Sequence, residues 1–434
     1  MGSSRRRSGT AAASVPVTAA KLDPSADADA EGMMGGDGAV DTSLSLQERN
    51  KYVRISGTLV QNTSSTLGGE SFSPELLSST LSTRVTASEP SGDSLEFEMA
   101  SPYLDLSLAN ALRRIMIAEV PTVAIESVLV KDNTSVIQDE VLAHRLGLVP
   151  IKCDPAWLEW KSKDETASEK NTIVFTLDVT CYVNEEGEVV NEKVKSSHLK
   201  WLPGGSDLGR TGGVAPADGT PNDGTPNVDN EYTKFETSQR DVLAARGWDE
   251  NTDGAPRPVH EDILLVKLRP KQRIRLEAHC VKGEGCDHAK FSPVATCWYR
   301  LYPSLRISES SPVTGKDADA LVEQVEALCG TKDADGNAIP CGYVKVENGV
   351  ATVAGDVRDD FKAQELWRQL GSDGSGSPFE GKLSLQKDKH HFIFTVETAG
   401  QLTPQRIVKD AIHLLREKAR KLVSSLDDQA MDTD

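Results

Sequence analysis

The sequence lacks the features of a membrane-spanning or secreted protein. It has no run of about 18 apolar residues, the length that a membrane helix requires. It also has no apolar stretch near its first residues of the kind found in signal peptides. Its seven cysteines stand singly, without a CxxC pair. An odd number of isolated thiols predicts a protein of a reducing, intracellular compartment.

Basic charge is also scarce. Against 66 Asp and Glu residues the chain has 48 Lys and Arg, a formal net charge of -18. Proteins that bind nucleic acids on their own are usually basic, because neutralising phosphates supplies most of their affinity. We therefore expect no direct, autonomous binding to DNA.

Motifs of catalysis, nucleotide binding and metal binding are missing as well. No GxSxG motif is present, and the two glycines of Lys282–Lys290 match neither a Walker loop nor a dinucleotide fingerprint. Cys280, Cys286 and His288 lack the paired spacing of zinc ligands, and His279 alternates with Cys280 on a predicted strand. We expect no catalytic residue, no cofactor and no metal site. A free-standing enzyme using the Lys282–Lys290 loop is a remote alternative.

Three segments have the composition of unfolded chain. Residues 1–48 are rich in Ser, Ala, Gly and Asp and have few groups to bury, which predicts a disordered tail. Leu202–Asn230 contains two GTPN copies and predicts a flexible loop, and Gly371–Pro378 predicts a flexible link. In the region 304–380 the sequence predicts a helix at Ala318–Cys329 and little else.

Between these segments, short strands alternate with helices. Apolar and polar residues alternate at Ser94–Met99 and Asn171–Val183, which predicts strands. A short helix is predicted at Asp139–Leu146, with Gly147 at its C-terminal exit, and a turn at Asp132–Thr134. Further strands are predicted at Val123–Val130, Asp262–Arg269, Arg273–Val281 and Thr296–Leu301.

Two helices carry an apolar stripe. The first spans about Leu106–Glu119 and ends before Pro121, which has no N–H to donate. The second begins at Thr403 and Pro404, residues typical of an N-cap and a first helical position. Such stripes either pack within the chain or form a seam with a partner. The stripe residues are Leu108, Leu112, Ile115 and Met116 in the first helix, and Val408, Ile412, Leu415, Ala419, Leu422 and Leu426 in the second.

Arg113 and Arg114 lie in the middle of the first helix. Two adjacent arginines cannot both enter the core on the apolar side of one helix. They are either a solvated face or a pair of which one guanidinium reaches a carboxylate across an interface.

These residues belong to segments that resemble a known family. LANALRRIMIAEVPTVAIESV, followed by NTSVIQDEVLAHRLGLVPI, resembles the α-like subunit family of DNA-dependent RNA polymerases, which includes bacterial α, the archaeal D protein and the third-largest subunit of polymerase II. RPVHEDILLVKLRP, HCVKGEGCDHAKFSPVATCWYRLYP and FIFTVETAGQLTPQRIVKDAIHLL extend the resemblance over most of residues 94–426 outside the loops. HCVKG, HAKFSPVAT and YRLYP are most similar to the branch shared by polymerases I and III.

The resemblance implies an α+β fold in two parts. A discontinuous dimerisation domain would consist of residues 49–130 plus 295–434, with 304–380 as a poorly matched insertion or linker. A mostly β domain, residues 131–294, would be inserted into it. Cys153 stands alone where polymerase II relatives have a cysteine-rich zinc loop, which implies that this metal site is missing. A polymerase II-type subunit or an archaeal D protein with a lost metal site remains the alternative.

The resemblance also implies a function. The chain would be a non-catalytic assembly subunit of nuclear RNA polymerases I and III, in nucleolus and nucleoplasm, with DNA contacted only through the holoenzyme. The two helix stripes would form a heterodimer seam with the small α-like subunit, and other residues would dock the second-largest subunit. The implied docking residues are Arg113, Arg114, His144, Arg145, His288, Lys290, Ser292 and Pro293.

Overall fold

The computed structural model describes residues 52–55, 60–61, 73–206, 235–249, 254–308, 311–332, 338–354, 358, 360–372 and 375–431. All of them belong to one compact unit, Gln47–Asp434. The predicted tail and most of the predicted loop at Leu202–Asn230 lie outside the described residues. Within the described part, no helix is long and apolar enough to cross a membrane.

The described elements mix helices and strands along the whole chain, which confirms the α+β class. The helices are α1 (Pro74–Thr80), α2 (Leu106–Ala118), α3 (Asp139–Gly147), α4 (Gln239–Ala245), α5 (Lys316–Cys329), α6 (Asp360–Leu366) and α7 (Pro404–Met431). The strands are β1 (Tyr52–Ile55), β2 (Val60–Gln61), β3 (Ser82–Ser88), β4 (Ser94–Ala100), β5 (Thr122–Asn133), β6 (Ile151–Lys152), β7 (Thr172–Thr180), β8 (Tyr182–Val183), β9 (Val189–Val190), β10 (Lys193–Lys195), β11 (Lys200–Trp201), β12 (Arg257–Pro258), β13 (Leu264–Lys267), β14 (Arg273–Gly283), β15 (Val294–Ile307), β16 (Thr331–Lys332), β17 (Ala338–Ile339), β18 (Val344–Glu347), β19 (Val350–Val353) and β20 (Leu383–Thr398).

The first sheet is built around β20. This strand pairs on one side with β15 along its whole length, and on the other side with β4 and β1 in succession, all antiparallel. β3 and β2 complete the sheet at its edges. Phe97 of β4 lies opposite Phe394 of β20, and their rings stack with centroids 5.0 Å apart. Residues from the two ends of the chain therefore share one core.

Helices α2 and α7 cover one face of this sheet. α2 begins at the cap residue Asp105, whose carboxylate accepts a hydrogen bond from the Ser107 N–H at 3.3 Å, and it ends before Pro121. The predicted first helix is thus confirmed, and it ends at Ala118, one residue before the predicted end at Glu119. The predicted C-terminal helix is also confirmed, and it continues to Met431.

The second sheet has the strand order β11-β7-β14-β5. Its inner face forms a core that includes Phe175 and Leu276, with Leu142 and Leu146 of α3 packed on it. β7 ends at Thr180, so the strand predicted to run from Asn171 to Val183 is interrupted at Cys181.

Strand β5 belongs wholly to the second sheet. It pairs with β14 from Thr122 to Asn133, so the sheets divide the chain after α2 rather than at the predicted boundary after residue 130. The turn predicted at Asp132–Thr134 is wrong, because Asp132 and Asn133 are still paired with β14. Gly147 is the last residue of α3 rather than its exit, and Leu148 is the cap.

The region 304–380 contributes a core of its own. Leu321 and Val325 of α5 pack with the hairpin β18–β19, with α6 and with Leu383 of β20. The helix predicted at Ala318–Cys329 is confirmed and begins two residues earlier. Gly371, predicted to open a flexible link, is buried at the end of a π-helical turn, and its carbonyl accepts a hydrogen bond from the Gly381 N–H at 3.1 Å.

Candidate partner interface

The candidate interface is built on the pair of helices α2 and α7. Both lie on the first sheet and contact each other. The buried side of α2 carries Leu112, Ile115 and Met116, which pack into the same core as Phe392 and Phe394 of β20. Two helices that the sequence separates by almost 300 residues are therefore neighbours.

The first turns of α7 complete this core. The carbonyl of Thr403 accepts a hydrogen bond from the Ile407 N–H at 3.0 Å, which begins the helix. Ile407 and Ala411 are fully buried, and Leu414 and Leu415 are half-buried against the same cluster. This part of α7 is held by its own chain.

Beyond Leu415 the helix has no cover from the described residues. Residues 416–426 are all exposed. At the rise of an α-helix, the 28 residues of α7 span about 42 Å, whereas the 13 of α2 span about 20 Å. The far half of α7 therefore extends past α2.

Exposed apolar side chains continue along this helix as a distal stripe. At a helical rotation of 100° per residue they fall within an arc roughly 100° wide, beside the buried side of the helix. Large apolar side chains in such an arrangement are typical of a surface that another helix covers. The distal stripe consists of Ile412 (49% exposed), Ala419, Leu422 (63%), Val423 (56%) and Leu426 (57%).

The predicted seam residues thus fall into two groups. Leu112, Ile115 and Met116 are buried in the core of this chain, and Leu108, Val408 and Leu415 are half-buried against it. Ile412, Ala419 and Leu422 are exposed. Contact of any of them with a partner stays a prediction. Val423 also belongs to the distal stripe. Counting by heptads did not predict it, whereas projecting the sequence on a helical wheel places it in the same arc.

An ion pair ties the end of α2 to the middle of α7. The ammonium group of Lys418 contacts the carboxylate of Glu119, the cap residue of α2. Because 54% of the lysine side chain is exposed, this pair contributes little stability. The pair lies just beyond Leu415, where the apolar packing of α7 ends.

The two arginines of α2 differ in their surroundings. The guanidinium of Arg113 is half-buried and donates to the side-chain oxygen of Asn110 at 2.9 and 3.2 Å. Arg114 is exposed. Arg114 is therefore the member of the pair whose guanidinium is available at the surface.

In α3, Arg145 and His144 are both exposed, but Arg145 also makes hydrogen bonds within the chain. The Arg145 guanidinium donates to the carbonyl oxygens of Leu265 at 3.0 Å and Leu264 at 2.6 Å. It thereby holds α3 against β13. His144 has an exposed side chain.

The predicted docking residues after β14 mostly stabilise the loop in which they lie. The ammonium of Lys290 donates to the carbonyl of Ile125 at 2.9 Å and contacts the carboxylate of Glu126. The ring of His288 is exposed, and its Nδ1 accepts a hydrogen bond from the Lys290 N–H at 3.1 Å. Lys290 is thus a link between this loop and β5.

Ser292 and Pro293 connect the same loop to the first sheet. Pro293 is buried, and its carbonyl accepts a hydrogen bond from the Ala399 N–H at 2.9 Å. The Ser292 hydroxyl donates to the carbonyl of Val294 at 3.3 Å. The loop therefore joins the two sheets.

The glycines of Lys282–Lys290 allow close packing. A Cβ atom on Gly285 would lie 2.6 Å from the carbonyl oxygen of Ile117 in α2, and one on Gly283 would lie 2.7 Å from the Phe291 ring. The Cys286 N–H donates to the carbonyl of Ala118 at 2.8 Å. The loop thus seals the C-terminal end of α2.

The exposed thiol in this loop is not activated. The Cys286 thiol donates to the Glu284 carboxylate at 3.3 Å, and this hydrogen bond, with some desolvation, raises the pKa of the thiol. A raised pKa leaves less of the nucleophilic thiolate at neutral pH. Cys280, by contrast, is buried in the core of the second sheet.

Among the described residues, no three His, Cys, Asp or Glu side chains are grouped so that they could hold a metal ion. The expectation that the chain carries no metal stays a prediction.

Comparison with known proteins agrees with this geometry. A family model described as the RNA polymerase Rpb3/Rpb11 dimerisation domain matches residues 102–419. The DNA-directed RNA polymerases I and III subunit RPAC1 of Mus musculus is 36% identical over 366 residues, 80% of this chain and 86% of the relative. RPAC1 of Saccharomyces cerevisiae is 37% identical over 327 residues, 74% and 81% of the two chains. Subunit 3 of the DNA-directed RNA polymerases II, IV and V of Arabidopsis thaliana is 29% identical over 341 residues, 77% and 88% of the two chains.

Proposed function

The chain belongs to the RNA polymerase Rpb3/Rpb11 dimerisation domain family, and we propose that it is a non-catalytic assembly subunit of DNA-directed RNA polymerases I and III. In this role it serves the transcription of rRNA, 5S rRNA and tRNA, in the nucleolus and nucleoplasm. The relatives named for polymerases I and III are 32–37% identical to this chain, against 27–29% for those named for polymerases II, IV or V. This difference favours polymerases I and III over a polymerase II-type subunit.

The observation that carries the proposal is the distal stripe on α7. Its large side chains are between 49% and 63% exposed although they follow a buried helical segment directly. Covering each of them on association contributes roughly 1–2 kcal/mol before the costs of ordering. The partner that fits is the small α-like subunit, which would present its own apolar helices to α7.

Assembly with the second-largest subunit is the second part of the proposal. Arg114, His144 and His288 have exposed side chains and can reach a neighbouring chain. Arg113, Arg145, Lys290, Ser292 and Pro293 make hydrogen bonds within the chain or are buried. The residues of the first group would contact the second-largest subunit. Those of the second group would shape the surface that carries the first group.

A catalytic role for the chain alone has little support. The Lys282–Lys290 loop uses its glycines to pack on α2, and its thiol has a raised pKa. The chain needs no cofactor in the proposed role, and with a net charge of -18 it would contact DNA only indirectly, through the holoenzyme.

The test is affinity purification of the full, tagged chain from nuclear extract. We expect recovery of the largest subunits of both polymerase I and polymerase III, together with the small α-like subunit. Recovery with polymerase II alone would contradict the proposal. Nucleotide turnover by the isolated chain would instead favour the alternative, a free-standing enzyme that uses the Lys282–Lys290 loop.

A further inference from the structure

Three basic side chains form a row along α7, beside the distal stripe. This basic row consists of Lys409, Arg416 and Arg420, all of them exposed. At a helical rotation of 100° per residue they lie roughly 20° to 60° beyond Val423, the stripe residue on that side of the arc. The buried Ala411 lies beyond the opposite border of the stripe. The basic row therefore follows the outer border of the stripe, a position that flanks the apolar seam when two helices pair.

The charge of this part of α7 is opposite in sign to that of the whole chain. Residues 416–426 contain four Lys and Arg residues and one carboxylate, whereas the chain has a net charge of -18. Asp427 and Asp428 follow only after the stripe has ended at Leu426. A basic border on an exposed apolar surface is complementary to an acidic border on the surface that covers it.

The basic row is only partly neutralised within its own helix. The Glu417 carboxylate lies 3.0 Å from the guanidinium of Arg420 and 3.7 Å from that of Arg416, so two cations share one anion. With 64% and 53% of the two arginine side chains exposed, these pairs add little stability. In the part of the chain that the structure describes, Lys409 takes part in no ion pair. The row thus keeps a positive charge that a partner can reach.

The border of the stripe nearer the core carries a cation with a partner in the same chain. Lys418 lies roughly 40° before Leu422 around the helix, and its ammonium contacts the carboxylate of Glu119 in α2. The two borders of the stripe therefore differ, because only the outer border offers cations that α2 does not pair. A covering helix meets this difference as a signal for its own orientation.

We propose that the basic row selects the partner of the distal stripe by charge, so that the covering helix carries carboxylates along the edge that faces Lys409, Arg416 and Arg420. The inference rests on the proposed function, since it concerns the partner of the same α7 surface. Burial of the stripe supplies most of the affinity. The charge pairs set the choice and orientation of the partner helix and speed its encounter with α7.

The first test measures association of the full chain with the purified small α-like subunit, by surface plasmon resonance at about 50 mM and about 500 mM NaCl. In Arg416→Glu the association rate constant should fall about fivefold at the lower salt concentration and less than about twofold at the higher one. Lys421→Glu is the matched control. It makes the same change of charge at an exposed residue roughly 150° from the centre of the stripe, and it should lower the rate less than about twofold at either salt concentration.

The second test identifies the charge pair directly. A carbodiimide joins a lysine amine to a carboxylate in contact with it, and mass spectrometry of the assembled pair locates the link. We expect Lys409 to be joined to a carboxylate of the small subunit and Lys421 to remain unlinked to it. Thermal denaturation should show nearly equal midpoints for the unaltered chain, Arg416→Glu and Lys421→Glu, because all the altered side chains are exposed.

The outcomes separate this inference from the proposed function. If the unaltered chain binds the small subunit but Arg416→Glu and Lys421→Glu slow association equally, or if Lys409 forms no link to that subunit, the inference is overturned and the proposed function stands. If the unaltered chain does not bind the small subunit, both are overturned. A DNA duplex that binds the unaltered chain more tightly than Arg416→Glu, while subunit association is the same for both, would assign the basic row to phosphate groups instead.

Discussion

Ile407 and Ile412 lie on the same helix, five residues apart, yet Ile407 is completely buried and Ile412 is 49% exposed. Their positions differ by roughly 140° around the helix. Ile407 faces the core between α7 and the first sheet, and Ile412 begins the distal stripe. The two isoleucines therefore separate what α7 contributes to the fold of this chain from what it offers to a partner.

The first prediction uses this pair. Ile412→Asp should abolish co-purification of the small α-like subunit while leaving the thermal midpoint of the free chain nearly unchanged. The carboxylate is hydrated in the free chain, but burying it unpaired at an interface costs several kcal/mol. Pull-down of the partner and thermal denaturation of the purified chain are the two measurements.

Ile407→Ala is the matched control for this change. It removes a fully buried side chain and should destabilise the chain by about 2–5 kcal/mol. Undiminished recovery of the small subunit by Ile412→Asp would rule out the distal stripe as the dimer surface.

The second prediction separates two arginines that the family resemblance groups together. Arg145→Ala removes hydrogen bonds to the carbonyl groups of Leu264 and Leu265 and should destabilise the chain by about 1–3 kcal/mol. Arg114→Ala alters an exposed side chain and should change stability by less than about 0.5 kcal/mol. Recovery of the second-largest subunit should nevertheless fall with Arg114→Ala. If Arg114→Ala lowers the thermal midpoint as much as Arg145→Ala does, the assignment of roles is wrong.

The sequence predicted both helices of the α2–α7 pair because each combines an apolar period with a proline at a defined end. It could not predict which part of α7 is buried. The buried part depends on the length of α2 and on where β20 places Phe392 and Phe394. The positions of these elements relative to α7 are set by the tertiary structure. Likewise, β5 continues through Asp132 and Asn133 because β14 pairs with them, against the local turn propensity.

The hairpin β18–β19, in the region 304–380, has a turn with a recognisable sequence pattern. Asn348 and Gly349 both have positive φ, 53° and 76°, at the turn of the hairpin β18–β19. Asn-Gly between two short apolar runs is the sequence pattern of a two-residue hairpin turn. This pattern predicts the hairpin, whereas the close packing of Gly371 on Leu383 has no local signature.

The third prediction concerns the loop that seals α2. Gly285→Ala should destabilise the chain by about 1–3 kcal/mol, because its Cβ would lie 2.6 Å from a backbone oxygen that cannot move aside easily. Gly204→Ala is the control, since a Cβ there meets nothing within 4 Å. Urea unfolding of both variants measures the difference. Equal midpoints for the two alanine variants would show that Gly285 is not needed for packing.

The fourth prediction concerns Cys286, the one exposed thiol among the seven cysteines. Its raised pKa, caused first by the hydrogen bond to Glu284, means that less thiolate is present at pH 8 than for a free thiol. Alkylation by iodoacetamide should therefore be slow at pH 8 and should accelerate as the pH rises through the raised pKa.

Glu284→Gln removes the negative charge that opposes the thiolate, and it should increase the rate at pH 8 by roughly two- to tenfold. Asp287→Asn removes a weaker influence on the same thiol and should have a smaller effect. Mass spectrometry of the Cys286 peptide gives these rates, and equal rates for the unaltered chain and Glu284→Gln would mean that the carboxylate does not control this thiol.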